Sequence, residues 1–181
     1  MNAQIEELTP RCYKKGDQSY SRHLATYTIE KPLDVVWKKY ISLAPEVVWT
    51  GNMIKFKELY DRKNKLKIKP GDPFSDPMGQ GQLILLDLKI LYGLVNITVG
   101  HEVMEVDDKQ KVIQTSYLNN SKSEGSQYIK FKALNAEKTE VIHETFYKSD
   151  SRYRDKYIYP FFHTKALNEF HGNVKRHILK G

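Results

Sequence analysis

The chain carries a single cysteine, Cys12, in its 181 residues, so no disulfide can form within it. That scarcity favours a reducing compartment. Long apolar runs are missing too. The longest, residues 83–95, is broken by Asp87 and Lys89, which excludes a membrane-spanning helix of the usual ~20 apolar residues. Residues 1–10 have neither a basic start nor an apolar core, so the sequence predicts no signal peptide and a soluble, cytoplasmic protein. Catalytic signatures are equally scarce. Gly79-Gln80-Gly81 lacks the Lys-Ser/Thr and the helix that a phosphate loop needs. No Gly-x-Ser-x-Gly elbow and no Cys-x-x-Cys pair occur. His163, His171 and His177 share a helix but not the i, i+4 spacing of a metal site. Neither a metal nor a cofactor is expected.

Positive charge, by contrast, is abundant. The 29 Lys and Arg exceed the 22 Asp and Glu, a net charge of +7. Such a balance suits nucleic acid only where the cations share one face. The one dense run, Lys55, Lys57, Lys63, Lys65, Lys67 and Lys69, alternates with Phe56, Leu66 and Ile68, as the wet side of a strand does. It predicts a solvated face and no nucleic-acid partner. A chain of this length can bury about 70% of its unfolded surface without a metal or disulfide staple. Residues 1–20 read as a tail or short helix, and residues 21–181 as one domain.

The C-terminal stretch organises the rest. Over residues 160–179, Phe162, Ala166, Leu167, Phe170, Val174 and Ile178 recur at helical spacing. That is roughly 30 Å of helix, long enough to lie across a whole sheet. Upstream, residues 23–29 alternate as a strand. Pro32 ends it, and Asp34 is placed to cap a helix carrying Val36, Trp37, Tyr40 and Ile41. Residues 45–49 read as a short helix broken by Gly51-Asn52. Strands are predicted at 65–69, 82–90, 95–106, 112–118, 126–134 and 139–148. Turn signals divide them at Tyr92-Gly93, Asp107-Asp108-Lys109, Asn119-Asn120-Ser121 and Asn135-Ala136-Glu137. Short links make neighbours antiparallel, and the class is α+β.

The first strand, then Lys31-Pro32-Leu33-Asp34-Val35-Val36-Trp37, then the strand run and final helix resemble the START-like superfamily (birch-pollen-allergen-like, polyketide-cyclase-like, SRPBCC). The resemblance spans residues 21–179. Ser116-Tyr117 followed by Glu124-Gly125 before a strand is similar to a bacterial branch of unknown function. The resemblance implies a helix-grip fold, a curved antiparallel sheet wrapped around a long C-terminal helix with a cavity between them. It also implies the superfamily's roles: binding of lipids, hormones or polyketides, cyclase chemistry, or chaperone regulation.

In such a fold one face of each strand points at the helix. The inward sets are Ile84, Leu86, Leu88 and Ile90; Val95, Ile97, Val99, His101 and Val103; Gln127, Ile129, Phe131 and Ala133; and Val141, His143, Thr145 and Tyr147. A bulge would invert any of them. A mainly apolar surface with sparse polar groups suits a small-molecule pocket, and the expected partner is a hydrophobic or amphipathic small molecule, lipid-like or aromatic. Ile84, Leu86, Ile97, Ile129, Phe131, Phe162, Ala166 and Phe170 would bury it, with His101, Gln127, His143, Tyr147 and His163 as polar contacts. A core with no void above about 300 Å³ would remove this reading.

Other readings stay open. The histidines can instead be satisfied inside a solid core. An enzyme of cyclase, dehydratase or hydrolase type would use His143 or His101 as general base, oriented by Glu102, Glu124 or Glu144. A protein-interaction module would need an exposed apolar patch, around Trp37 and Trp49. The run Tyr153, Tyr157, Tyr159, Phe161 and Phe162 either lines a pocket mouth or packs the helix, and residues 70–81 either gate the cavity or merely connect. Oligomeric state has no signature in the sequence.

Overall fold

Alternating apolar and polar residues joined by short polar turns build hairpins, and here the hairpins merge into one surface. The computed structural model describes residues 4–90 and 93–180. Its strands are β1 (Ser21–Ile29), β2 (Ile54–Asp61), β3 (Leu66–Ile68), β4 (Gln82–Ile90), β5 (Val95–Asp107), β6 (Val112–Tyr117), β7 (Ser123–Asn135) and β8 (Lys138–Ser149). They form a single sheet in the order β1-β8-β7-β6-β5-β4-β2-β3, with every neighbouring pair antiparallel. Bulges at Phe56/Glu58, Val103/Glu105 and Ala133/Asn135 bend it. The second of these passes the inward role from Val103 to Val106, which packs on the core while Glu105 stays outside.

The helices are α1 (Leu33–Ser42), α2 (Pro45–Val48) and α3 (Tyr159–Lys180). A wide turn, Arg154–Ile158, leads into α3, closed by the Tyr159 N–H donating to the Arg154 carbonyl. This five-residue spacing lies just upstream of Pro160, which has no N–H to offer a regular helix. Asp155 fixes the turn. Its carboxylate accepts from the Ser149 N–H at 2.8 Å and the Ser149 hydroxyl at 2.6 Å. Farther along, Glu169 of α3 accepts from the Met53 and Ile54 N–H groups at 3.0 and 2.9 Å, so α3 also holds the start of β2.

Three expectations need correction. Asp34 caps nothing: Pro32 is the N-cap. Asp34 lies two residues into the helix, past the cap position, and its carboxylate stands 3.6 Å from Lys111 instead. Residues 54–61 form a full strand that the sequence registered only as a lysine-bearing face; Ile54, Phe56 and Leu59 are its buried side. Ala133 and Val95 are exposed, because both lie toward strand ends beyond the reach of the helices. The six lysines of residues 55–69 are exposed, and Lys57 and Lys67 pair with Asp87 and Glu6. Of the predicted turn at Tyr92-Gly93, Tyr92 lies outside the described residues.

Burial sorts into two faces. Inside, Trp37, Tyr40, Ile113, Ile129, Phe131, Val141, Phe170, Val174 and Ile178 pack the C-terminal half of α3 and α1 onto the sheet. Ile54, Phe56, Leu59, Ile84, Leu86 and Val103 continue this layer toward β2. On the outer face, Ile5 and Leu8 cover Leu83, Leu85 and Leu118. The Arg62 guanidinium holds that N-terminal segment, donating to the carbonyls of Glu6 and Leu8 and to Glu102.

Gly125 on β7 has φ +136°, and a Cβ there would lie 1.9 Å from the Phe146 carbonyl oxygen. The obstacle is backbone, which cannot swing away. Gly125→Ala is expected to cost about 3 kcal/mol, read as a lowered midpoint in urea denaturation. A midpoint within error of the parent would contradict this.

Candidate functional site

The C-terminal half of α3 seats on solid core; its N-terminal half does not. Phe162, His163, Ala166 and Leu167 face Leu86 and Leu88 of β4, Ile97, Val99 and His101 of β5, Tyr117 of β6 and Gln127 of β7 across a cavity of about 160 Å³. Trp49 and Ile54 line it on one side, and Ile90, Ser121, Lys122, Ser123, Arg154, Ile158 and Tyr159 on the other. Lys122 and Ile158 are exposed, which places the mouth beside them. The volume is about half of what drug-sized ligands occupy. The cavity therefore fails the mark of about 300 Å³ set for the expected pocket, and a site sized for a whole lipid or polyketide is not carried forward; the room that remains is that of a single ring.

Five of the six histidines gather behind and around this cavity: His23 on β1, His101 on β5, His143 on β8, and His163 and His171 on α3. Four side chains and a tyrosine form one chain of hydrogen bonds. Tyr40 Oη meets His171 Nδ1 at 2.8 Å, and His171 Nε2 meets His143 Nδ1 at 2.9 Å. His143 Nε2 meets Gln127 Oε1 at 2.7 Å, and Gln127 Nε2 meets His101 Nε2 at 2.7 Å. An amide oxygen only accepts, so His143 carries its proton on Nε2 and accepts on Nδ1. His171 must then donate from Nε2 and accept the Tyr40 O–H on Nδ1. At the far end His101 accepts on Nε2 and keeps its proton on Nδ1. Turning the Gln127 amide over would reverse every bond and leave the buried Tyr40 O–H without an acceptor, so network closure assigns the direction.

A second branch fixes His163. The Thr164 hydroxyl donates to the Pro160 carbonyl at 2.7 Å, so it accepts from His23 Nε2 at 2.9 Å. His23 Nδ1 is therefore an acceptor, and His163 Nδ1 donates to it at 3.1 Å. The other nitrogen, His163 Nε2, is left as a lone pair, buried and without a partner among the described residues. Trp49 Nε1, a donor on another cavity-lining residue, is likewise buried and unpartnered.

Burial sets the charge state. Desolvation lowers His101 to about 4 and His171 to about 3. It also holds His143 and His163 well below the usual histidine range, helped by the neighbouring histidines. The hydroxyls of Tyr117 and Tyr159 are hydrogen-bonded to each other, and burial raises both above the usual tyrosine range. The buried histidines and tyrosines of the site are thus uncharged, and its charged lining residues are Lys122 and Arg154. Among the described residues no three His, Cys, Asp or Glu side chains converge as metal ligands would.

Of the residues singled out in the sequence, Leu86, Ile97, His101, Gln127, Phe162, His163 and Ala166 line the cavity. Ile84, Ile129, Phe131 and Phe170 sit in the packed core, and His143 lies one hydrogen bond behind Gln127. Tyr147 stacks on Tyr159 and donates to the Asp155 carbonyl at 2.7 Å. Tyr159 and Phe162 reach the cavity, whereas Tyr153, Tyr157 and Phe161 are exposed. No residue of 70–81 lines it. The three glutamates proposed to orient a histidine point elsewhere: Glu102 pairs with Arg62, Glu124 with Arg11 and Lys148, and Glu144 with Arg22 and Lys130. The exposed patch that a protein-interaction module would need at Trp37 and Trp49 is not formed, since Trp37 is buried and Trp49 stacks on Phe170 with ring centroids 4.0 Å apart. His23, Tyr40 and His171 are not among the site residues the sequence predicts: Tyr40 counts only toward the first helix, His171 only against a metal site, and β1, on which His23 shares the more buried parity of Ala25, Tyr27 and Ile29, has no predicted inward set.

No family profile and no curated protein matches the chain at a significant level. Solved structures do. The aromatase/cyclase Zhui of Streptomyces sp. R1128 is 13% identical with a TM-score of 0.62, over 89% of this chain and 94% of that one. Major latex-like protein 151 of Panax ginseng is 11% identical with a TM-score of 0.63, over 89% and 99%. Norcoclaurine synthase of Thalictrum flavum, in complex with dopamine and hydroxybenzaldehyde, is 14% identical with a TM-score of 0.60, over 90% and 89%. The curved sheet, the long gripping helix and these likenesses agree: the chain has the helix-grip fold that these structures share.

Proposed function

We propose that this protein binds a compact, largely apolar small molecule in the cavity beneath the N-terminal half of α3. The observation that carries the reading is a mostly apolar cavity whose wall groups His101 and Gln127 are held neutral and in fixed orientation by the histidine chain. Such a wall binds by burial and selects by a few placed polar atoms. The neighbours whose names give a role, a cyclase and a synthase holding two small aromatic compounds, support a small-molecule role for this fold.

A second reading, an enzyme of the cyclase or dehydratase kind, is favoured by the bare nitrogen of His163. Two observations weigh against it. A general base works best with its titration near ambient pH, whereas burial holds these histidines far below it. No carboxylate among the described residues orients them, since the glutamates are engaged by cations.

The test is native mass spectrometry of the purified protein beside its denatured mass, followed by thermal shifts across single-ring aromatic compounds. A retained adduct or a shift of several degrees is expected from the parent. Ala166→Phe fills the space from the helix side; it should abolish both signals while leaving the fold's circular dichroism unchanged. Retention of binding in Ala166→Phe would place the ligand elsewhere.

A further inference from the structure

The charged residues of the cavity lining share one sign and one place. Lys122 lies between β6 and β7, and Arg154 opens the wide turn that leads into α3. The Arg154 guanidinium donates from Nη2 to the Lys122 carbonyl at 2.7 Å, so the two segments meet at the mouth, beside the exposed Ile158. That bond uses one of the five N–H donors on the side chain. Asp150 stands 3.9 Å from Nη1 and is 88% exposed, beyond hydrogen-bond reach and screened by water. Asp155 is turned away to Ser149, and Glu124 is held by Arg11 and Lys148. Lys122 is exposed and pairs with no carboxylate among the described residues. No acidic residue among them lines the cavity. Two cations thus stand at the mouth of an apolar space with no carboxylate hydrogen-bonded to either.

We propose that the cavity takes an amphipathic single-ring carboxylate, its ring buried against Leu86, Ile97, Phe162 and Ala166 and its carboxylate held at the mouth by Arg154 and Lys122. A volume of about 160 Å³ is filled by the ring, and burying the charge beside it would be costly. A short arm between ring and carboxylate leaves the charge at the hydrated rim, where the cations are. The planar guanidinium fork matches a carboxylate in shape as well as in sign. An alcohol of the same skeleton gains a hydrogen bond there without the charge, and an ammonium is repelled.

This deepens the small-molecule reading above and rests on it, so the experiment separates the two. Calorimetric titration of the full chain at pH 7 and low salt compares phenylpropanoate, phenylpropanol and phenylpropylamine, which share ring and arm and differ in the end group. The acid is expected to bind about tenfold more tightly than the alcohol, the ratio a charge-assisted hydrogen bond supplies, and the amine to bind least. At about 0.5 M salt the acid's advantage should shrink, because charges at the rim are screened. In Arg154→Gln and Lys122→Gln the acid-to-alcohol ratio should fall toward parity. Should Arg154→Gln not fold, the exposed Lys122 and the salt series carry the test. The net charge of +7 attracts any anion, so Ala166→Phe is the control and should abolish acid binding. An alcohol or amine bound as tightly as the acid, a ratio unmoved by salt, or a ratio kept in the glutamine variants overturns the carboxylate assignment and leaves the cavity reading standing. Acid binding that survives in Ala166→Phe, or binding of none of the three probes, overturns both.

Discussion

Between pH 7 and pH 5 the domain is expected to lose most of its stability. His101, His143, His163 and His171 are neutral in the folded chain, with titration pushed down by burial, to about 4 for His101 and about 3 for His171. In the unfolded chain each takes up a proton near pH 6.5. The folded-state values are depressed, so the unfolded state binds more protons between about 6.5 and the folded values. Stability is therefore full above pH 6.5 and falls as the pH drops through that window. Each histidine removes roughly 2 kcal/mol between pH 7 and pH 5, and four together approach the 5–15 kcal/mol typical of a whole domain. The carboxylates held low by partners, Asp17, Glu124 and Glu144 among them, lose their contribution only below about pH 4.5, so the upper window belongs to the histidines. Guanidinium denaturation at half-unit pH steps measures it. A midpoint unchanged from pH 7 to pH 5 would mean that the histidines are not buried as a neutral cluster.

Gln127→Leu is expected to destabilise the fold by about 4 kcal/mol at pH 7. The side chain is buried and joins two histidines, accepting from His143 Nε2 and donating to His101 Nε2, each at 2.7 Å. Leucine keeps the volume and withdraws both partners at once. An orphaned buried donor and an orphaned buried acceptor cost about 1–3 kcal/mol each. The losses need not stop there, because the orientation of His143 fixes that of His171 and of the Tyr40 hydroxyl. Equilibrium urea unfolding reads the change. A loss below about 1 kcal/mol would show that the chain of bonds contributes little to stability.

Much of the architecture was legible because its signals are local. Period-two alternation located β1 and β4 to β8, and the apolar stripe from Phe162 to Ile178 located α3, since a strand or helix shows its buried side in its own spacing. β2 was harder. Its lysines at 55 and 57 dominate the composition, while its buried side, Ile54, Phe56 and Leu59, is displaced by a bulge that breaks the alternation. Asp34 misled for a related reason: a capping residue is defined by backbone angles, and Pro32 holds the non-helical ones.

The site divides along the same line. The sequence by itself determined that an apolar inner face would carry His101, Gln127 and His143 on β5, β7 and β8, because their parity along each strand is a property of that strand alone. Only the tertiary structure decided that Gln127 bridges the two histidines, that His171 continues the chain to Tyr40 on α1, and that His23 meets His163. Strand register, sheet curvature and the seating of α3 set those distances, and none is a local quantity. The volume of the cavity, about 160 Å³, belongs there too: it is the small difference between the space under a curved sheet and the side chains that fill it.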